Sequence, residues 1–264
     1  MIRGMNTAAA GMIAQQRRQE MLTDNLNNMN TPGYKADQAS LRTFPNMLIQ
    51  ATGQGKMGGL TGELAAGVYM QERTSHFAQG DMQETGNSTD LALLQGNVSE
   101  GAMLFFTIES QDGDARFTRN GNFTVDGNGF LATSGGHYVL GTDGERIETE
   151  NDRIRVDGDG SVFSETGDGE ALLSQLNVTL ITEPEQLVRE GGGLLRYEGT
   201  EEAAAAEAGT YQIEQGFIER SNVDPSRTMT EMMAALRAFE ANQKVLQTYD
   251  RSLERTMNDV GRIG

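Results

Sequence analysis

The residues of this sequence that could do chemistry are carboxylates set in glycine-rich turns. Residues 157–160 (DGDG) suggest a calcium site, because an EF-hand loop places oxygen ligands at alternate positions. Such a loop also needs glycine at its sixth position and glutamate at its twelfth, where this chain has Val162 and Asp168. Asp-Gly is also a favoured pair in hairpin turns. The sequence therefore predicts turns here and no metal site.

Other catalytic arrangements are no better supported. The 38 acidic residues offer many accidental carboxylate pairs for a glycosidase, but none lies in a recognisable context. No nucleophile signature accompanies His76, and residues 53–56 (GQGK) are too short for a phosphate-binding loop. The chain has no cysteine, which excludes disulfides and thiolate catalysis. We therefore expect a protein that is not an enzyme and that has no cofactor.

Charge and hydropathy narrow the choice of partners. A net charge of −17 disfavours binding to nucleic acid or to an anionic membrane surface. No segment approaches the roughly 20 apolar residues of a membrane-spanning helix. The first residues (MIRGMNT) lack the apolar core of a cleavable secretory signal. A protein of this kind would leave the cell only through a dedicated exporter.

Helical periodicity marks the two ends of the chain. Apolar residues recur at spacings of three and four over residues 1–34, and Pro32-Gly33 ends the pattern. A second helix is predicted to begin at Asp224-Pro225, and its heptads contain one apolar column, which comprises Met232, Phe239, Leu246, Leu253 and Val260. The other column is interrupted by two polar residues and comprises Met229, Leu236, Gln243, Asp250 and Met257. This pattern fits a coiled-coil seam, or equally an amphipathic helix packed on its own domain.

The middle of the chain is punctuated by many of its 33 glycines and reads as strands and turns. Strands are predicted within residues 117–140, in a hairpin over 154–163 and over 176–181, and residues 201–208 as a short helix or surface insertion. The predicted fold is mainly β: an all-β central domain flanked by terminal helices that pair as a coiled coil. The predicted boundaries are an N-terminal assembly helix at 1–35, a connector of unpredicted structure at 36–80, the β domain at 81–220 and a C-terminal assembly helix at 221–264.

Each amphipathic end would be marginally stable alone, because helical stability in water comes mostly from burying the apolar face. Pairing the ends, within one subunit or between neighbours, would bury both faces. We therefore expect an assembly interface and not an active site.

The ends also carry a family resemblance. Residues 25–35 (NLNNMNTPGYK) resemble the N-terminal signature of flagellar rod and hook proteins. Residues 215–224 (QGFIERSNVD), followed by 237–244 (RAFEANQK), resemble its C-terminal counterpart. Two terminal motifs in the right order make this resemblance specific.

The middle of the chain resembles the same family. Residues 77–82 (FAQGDM) and 85–93 (TGNSTDLAL) are similar to the linker into the family's β domain, and 118–123 (TRNGNF), with 129–141, to its repeated hairpin. Length and linker type are most similar to the distal rod subfamily, including its rod-like paralogues in Gram-positive bacteria. Residues 94–103 depart from the pattern, since relatives reach the following Gly-Phe-Phe motif sooner.

The resemblance implies a structural subunit of the flagellar basal-body rod. Such a protein is exported unfolded through the flagellar type III apparatus and assembles with copies of itself and with other rod and hook subunits. Its terminal segments are disordered before assembly and then form paired helices lining the axial channel of a tube that transmits torque to the hook. The alternatives are an extracellular polysaccharide hydrolase with an acidic β domain, or a low-copy assembly cap or adaptor.

The predicted interface combines the apolar stripes with the signature motifs. Asn25, Asn28 and Asn222 are candidate hydrogen-bonding register pins, or simply caps and turn formers. The full set of candidate interface residues is Ile2, Met5, Met12, Leu22, Asn25, Leu26, Asn28, Asn30, Pro32, Gly33, Tyr34, Ser221, Asn222, Met232, Leu236, Phe239, Asn242, Leu246 and Leu253.

Overall fold

The chain divides into two compact units in a computed structural model. The helical unit comprises Met1–Asn27, Asp37–Thr74 and Asp224–Gly264, and the β unit comprises Asn28–Ala36 and Ser75–Val223. The residues that the structure describes are 2–43, 47–50, 60–64, 67–96, 98–99, 101–110, 112–149, 151–166, 169–199, 203–207 and 209–261.

Two long helices dominate the helical unit. Helix α1 spans Ile2–Asn27 and helix α2 spans Pro225–Gly261. Asp224 caps α2, because its Oδ1 accepts hydrogen bonds from the backbone N–H groups of Ser226 at 2.9 Å and Arg227 at 3.1 Å. The predicted start of this helix at Asp224-Pro225 is confirmed.

Short strands accompany the helices. Strands β1 (Asp37–Thr43) and β4 (Val68–Ser75) pair with each other, and β2 (Met47–Gln50) pairs antiparallel with β3 (Leu60–Leu64). All four lie in the 36–80 connector, for which the sequence predicted no structure.

The β unit consists of short strands joined by tight turns. Its described strands are β5 (Met82–Glu84), β6 (Leu91–Gln95), β7 (Met103–Glu109), β8 (Ala115–Thr118), β9 (Phe123–Val125), β10 (Leu131–Thr133), β11 (Tyr138–Val139), β12 (Ile154–Val156), β13 (Ser161–Thr166), β14 (Gly169–Gln175), β15 (Val178–Ile181), β16 (Leu187–Gly191), β17 (Leu194–Tyr197), β18 (Ala204–Ala205), β19 (Tyr211–Gln215) and β20 (Phe217–Glu219).

The largest sheet among the described residues has the order β16-β17-β8-β7-β11-β10-β9, with β15 also paired to β7 and β18 paired to β15. The strands β12, β13 and β14 form a second sheet. The last two strands of the unit pair with its first two, because β19 is antiparallel to β6 and β20 is antiparallel to β5. The β unit is therefore closed by strands from the two ends of its sequence.

Strand β7 is the centre of the core. Its residues from Met103 to Ile108 are all buried. Side chains alternate between the faces of a strand, so Leu104, Phe106 and Ile108 join one apolar cluster while Met103 and Phe105 join another. A strand buried on both faces explains the run of apolar residues here.

The mainly β composition with a helix at each end is confirmed. The predicted hairpin over 154–163 is also confirmed, since β12 pairs with β13 and Gly160 N donates to Asp157 O at 2.9 Å across the turn. Residues 203–207 contain strand β18 rather than a helix. Asn28–Ala36, which follows α1, groups with the β unit.

Candidate assembly site and motif junction

Glu219, at the end of β20, is the buried acceptor at which the signature segments of the β unit meet. Its Oε1 accepts hydrogen bonds from Lys35 Nζ at 2.5 Å and from the backbone N–H of Gly80 at 2.6 Å. Its Oε2 accepts one from Arg119 Nε at 2.5 Å. Lys35, Gly80, Arg119 and Glu219, which we call the Glu219 cluster, come from four different sequence motifs.

Arg119 extends this cluster into the strands. Its Nη1 donates to the carbonyl of Leu104 in β7 at 2.6 Å, and its Nη2 donates to the carbonyl of Leu93 in β6 at 2.5 Å. Lys35 Nζ similarly donates to Ala78 O at 2.8 Å. All three guanidinium nitrogens of Arg119 are therefore engaged, which a compact ammonium could not reproduce.

Burial and charge act against each other in the cluster. The exposed fractions of Glu219, Arg119 and Lys35 are 1%, 3% and 3%. Burial lowers the pKa of Lys35 from 10.5 to about 8, although the Glu219 carboxylate raises it. Burial alone would raise the pKa of Glu219, but the charges of Arg119 and Lys35 hold it below its ordinary value. A charged Glu219 is therefore favoured by its two cations.

Gly33 and Tyr34 pack the N-terminal motif against the same region. Gly33 has φ +68°, and a Cβ there would lie 2.4 Å from the backbone carbonyl carbon of Arg119. The ring of Tyr34 lies under the Arg189 guanidinium, 4.4 Å from Cζ to the centroid. Arg189 Nη2 also donates to Lys35 O at 2.9 Å. This segment thus needs glycine for a backbone conformation and a close approach that a side chain would prevent.

Asn222 joins the C-terminal motif to two other segments of the β unit. Its Oδ1 accepts from the backbone N–H of Ala36 at 2.7 Å, and its Nδ2 donates to the carbonyls of His76 at 2.8 Å and Ala78 at 3.1 Å. Asn28 instead makes a local contact, accepting from Thr31 Oγ1 at 3.2 Å. The side chain of Asn222 thus bridges segments distant in sequence, whereas this contact of Asn28 is local.

Asn25 makes a comparable contact within the helical unit. Its Nδ2 donates to Asp37 O at 2.8 Å and its Oδ1 accepts from Asp37 N at 2.9 Å. The carboxamide thereby pairs with a backbone as a neighbouring strand would. Asn25 is 3% exposed, so this pairing satisfies polar atoms that are shielded from water. The contact holds the start of β1 against the end of α1.

Helices α1 and α2 pack against each other within the helical unit. A Cβ on Gly11 would lie 2.8 Å from Asn242 Nδ2, and Arg18 Nη2 lies 3.1 Å from Glu231 Oε2. The α2 residues at heptad spacing on this side are buried or half-buried, namely Thr228, Met232, Ala235, Phe239, Asn242, Leu246, Tyr249 and Leu253. This face of α2, which we call the seam, contains Met232, Phe239, Leu246 and Leu253 of the predicted Met232 column, whereas the side chain of Val260 lies outside the described residues.

The second heptad column lies elsewhere on α2. Met229 and Leu236 are 51% and 40% exposed, whereas Ala235 is 1% exposed. Each of these two residues follows a seam residue, which rotates it about 100° around the helix. Met233, also exposed, lies between them at i, i+4, i+7 spacing. Met229, Met233 and Leu236, which we call the Met stripe, form an exposed apolar surface on α2.

The structure separates the candidate interface residues into three groups. Asn28, Asn30, Pro32, Gly33, Tyr34, Ser221 and Asn222 lie in the β unit. Met5, Met12, Leu22, Asn25, Leu26, Met232, Phe239, Asn242, Leu246 and Leu253 are buried or half-buried in the helical unit, and Leu236 is exposed there. Ile2 lies in α1, but its side chain falls outside the described residues.

Sequence reasoning missed Lys35, Arg119 and Glu219 as junction residues, and it did not single out Met233, which is exposed on α2. Lys, Arg and Glu are rarely buried unless they are paired, so their type predicts a solvated position. The available signal was that three of the four lie inside the recognised motifs.

The described residues offer little for catalysis. Within those ranges, no group of three or more Asp, Glu, His or Cys side chains is placed to hold a metal ion. None of the described helices is both long and apolar enough to cross a bilayer. A cleft of about 500 Å³ on α2 is lined by Lys244, Val245, Thr248, Tyr249 and Ser252.

Known proteins are similar to this chain along its whole length. Residues 5–35 match the family described as flagella basal body rod protein, 103–164 match the flagellar hook protein FlgE/F/G D1 domain, and 214–259 match the flagellar basal body rod FlgEFG protein C-terminal family. The chain is 38% identical to the flagellar hook-basal body complex protein FlhO of Bacillus subtilis, with 100% of both chains covered. It is 31% identical to the flagellar basal-body rod protein FlgG of Borreliella burgdorferi, covering 96% of this chain and 97% of the relative.

Proposed function

The chain belongs to the flagellar basal-body rod protein family, and we propose that it self-assembles through its terminal helices into a segment of the rod. The protein has a structural role in the flagellar rod or hook and is not an enzyme. In this proposal the assembled helices form a coiled-coil layer of a helical tube that transmits torque to the hook. The subunit would reach the growing tip unfolded through the flagellar type III export apparatus.

One observation carries the assembly proposal: α2 has apolar residues on two faces, and α1 covers only one of them. The seam of α2 is closed by α1 within the chain, whereas Met229, Met233 and Leu236 remain exposed. A helix with apolar residues on several faces is stable in water only when neighbours bury them. The Met stripe therefore suits a contact with a helix of another subunit.

The experiment replaces all three residues of the Met stripe by glutamine in the full-length protein. We expect polymers to disappear in electron micrographs and sedimentation assays, while the circular dichroism spectrum and melting temperature of the monomer change little. The matched control is Leu172→Gln, which alters a 62% exposed leucine in the β unit. That control is expected to polymerise normally. Unchanged polymerisation by the stripe variant would contradict the proposal.

The remaining alternative is a low-copy cap or adaptor. Such a protein would use the same family fold but would not form a continuous tube. Counting labelled subunits in isolated basal bodies separates the two, since a rod segment requires many copies. The hydrolase alternative is excluded by membership in a family of structural proteins.

A further inference from the structure

The Glu219 cluster is charged and almost fully shielded from water. It contains two cations, Lys35 and Arg119, and one anion, Glu219, all at most 3% exposed. Moving an ion from water into a protein interior costs several kcal/mol unless an opposite charge is close. Glu219 is the carboxylate within hydrogen-bonding distance of both cations. Its charge is therefore what makes their burial tolerable.

The three charges enter the chain at very different times during synthesis. Lys35 precedes Glu219 by 184 residues and Arg119 precedes it by 100. Glu219 lies on β20, the last strand of the β unit, which pairs with β5 at the beginning of the unit. A chain made only as far as β18 already contains both cations and most of the core, but it lacks Glu219, the carboxylate that binds both cations in the folded unit.

We propose that Glu219 acts as a folding lock for the β unit: without its carboxylate, the burial of Lys35 and Arg119 becomes costly and the unfolded population of the unit rises steeply. The lock makes folding conditional on a residue near the C-terminal end of the unit. Folding of an incomplete chain is thereby disfavoured. The lock is a property of the isolated protein and does not depend on the proposed function.

The geometry predicts unequal effects within the cluster. Removing the carboxylate leaves two buried cations next to each other, and these repel. Removing Lys35 leaves the Arg119–Glu219 pair intact, with Arg119 still bonded to two strand carbonyls. Glu219→Gln should therefore be far more damaging than Lys35→Met, although each variant changes one side chain of similar size.

The test measures hydrogen exchange of strand β7 and the denaturant midpoint in purified full-length protein. For Glu219→Gln, we expect the unfolded population of the β unit to rise roughly 100-fold or more, as for other broken buried ion pairs. Glu214→Gln is the matched control, since Glu214 is half-buried on the neighbouring strand β19. It should change that population by no more than about threefold.

A third variant separates charge imbalance from loss of packing. Replacing Lys35, Arg119 and Glu219 together by methionine removes every charge of the cluster, and buried ion clusters often tolerate such replacement. We expect the unfolded population of the β unit to be at least roughly tenfold lower in this triple variant than in Glu219→Gln. Two results would overturn the lock: Glu219→Gln as stable as Glu214→Gln, or a triple variant no more stable than Glu219→Gln. Polymer formation is scored separately, so failure of the assembly proposal would leave this result unaffected.

Discussion

Arg119 Nε lies 2.5 Å from Glu219 Oε2, which joins the hairpin motif to the C-terminal motif across 100 residues of chain. Both side chains are 1% exposed, so this ion pair is part of the interior of the β unit. The recognised motifs thus meet at a structural junction. Lys35, Gly80, Arg119 and Glu219 within these motifs maintain the fold of the β unit.

The geometry of Arg119 predicts that a positive charge alone at this position is insufficient to stabilise the β unit. Arg119→Lys keeps the positive charge but cannot donate simultaneously to Glu219 and to the carbonyls of Leu93 and Leu104. We expect a loss of about 2–4 kcal/mol in the free energy of unfolding, measured by denaturant titration. Arg116→Lys, which alters an ion pair at the surface with Glu190, should cost at most about 1 kcal/mol. Equal losses would argue against this role of Arg119.

The depressed pKa of Lys35 predicts a pH dependence of stability. The folded protein loses this proton near pH 8, while the unfolded chain keeps it until near 10.5. The unfolded state therefore binds more protons between these values, and this group's contribution to stability rises with pH. Comparing unfolding free energies of the wild type and Lys35→Met between about pH 7 and 9.5 should give a relative gain for the wild type on the order of 2 kcal/mol. A difference in unfolding free energy between the wild type and Lys35→Met that stays constant over this pH range would contradict the prediction.

The loss of folding stability at low pH should depend on Glu219. Its pKa is held below the ordinary value in the folded protein, because Arg119 and Lys35 outweigh the effect of burial. Stability from this group is present above the unfolded-state pKa and is lost as the pH falls through the folded-state value. Relative to Glu214→Gln, the variant Glu219→Gln should show a flatter loss of stability in acid denaturation monitored by circular dichroism. The same loss of stability with falling pH in both variants would show that Glu219 does not titrate as expected.

Asn222 predicts a local change in backbone protection. Asn222→Ala removes the acceptor of the Ala36 N–H and leaves that group without the 2.7 Å hydrogen bond. We expect faster hydrogen exchange at Ala36 and a loss of about 1–3 kcal/mol in unfolding free energy. Asn28→Ala is the control, because it alters the turn at Thr31 and should leave exchange at Ala36 unchanged. Slow exchange at Ala36 in the Asn222→Ala protein would refute the role of this contact.

The close approach of Gly11 and Asn242 predicts a coupling between the two helices. Replacing a glycine by alanine inside a helix normally stabilises it by about 0.5–1 kcal/mol. At Gly11 the new Cβ would lie 2.8 Å from Asn242 Nδ2, so this gain should be reduced or reversed. In an Asn242→Ala background the gain should reappear, as measured by thermal melting at 222 nm. A full gain from Gly11→Ala in both backgrounds would show that the helices are not in this register.

Much of the secondary structure was predictable because its signals are local. Asp224 caps α2, and the Asp157–Gly160 turn joins β12 to β13, as the residue types suggest. The strands in the 36–80 connector were missed, because β1 and β4 depend on pairing between segments about 30 residues apart. The short strand β18 was likewise missed, since its alanines have high helix propensity and only pairing with β15 places them in a sheet.

The position of the helix seam was half predictable. The Met232 column is apolar in sequence, and its described side chains, Met232, Phe239, Leu246 and Leu253, are half-buried in the structure. Its companion column contains Ala235, Asn242 and Tyr249, which a search for large apolar residues passes over in favour of Met229 and Leu236. The glycines of α1 explain why Asn242 and Tyr249 belong to the seam. Gly4 and Gly11 have no side chain, so Tyr249 and Asn242 can approach the backbone of α1 closely.

By itself, the sequence determined what depends on neighbouring residues: helices at both ends, a turn-rich β middle, and motifs in an order that identifies the family. Tertiary structure decided which charged residues are buried together and which apolar face of α2 stays exposed. These properties depend on distances between residues that strand pairing and helix packing bring together, and no local pattern encodes them. Lys35 and Glu219 have the residue types of a solvated surface, and only the folded chain, with 184 residues between them, makes them a buried pair.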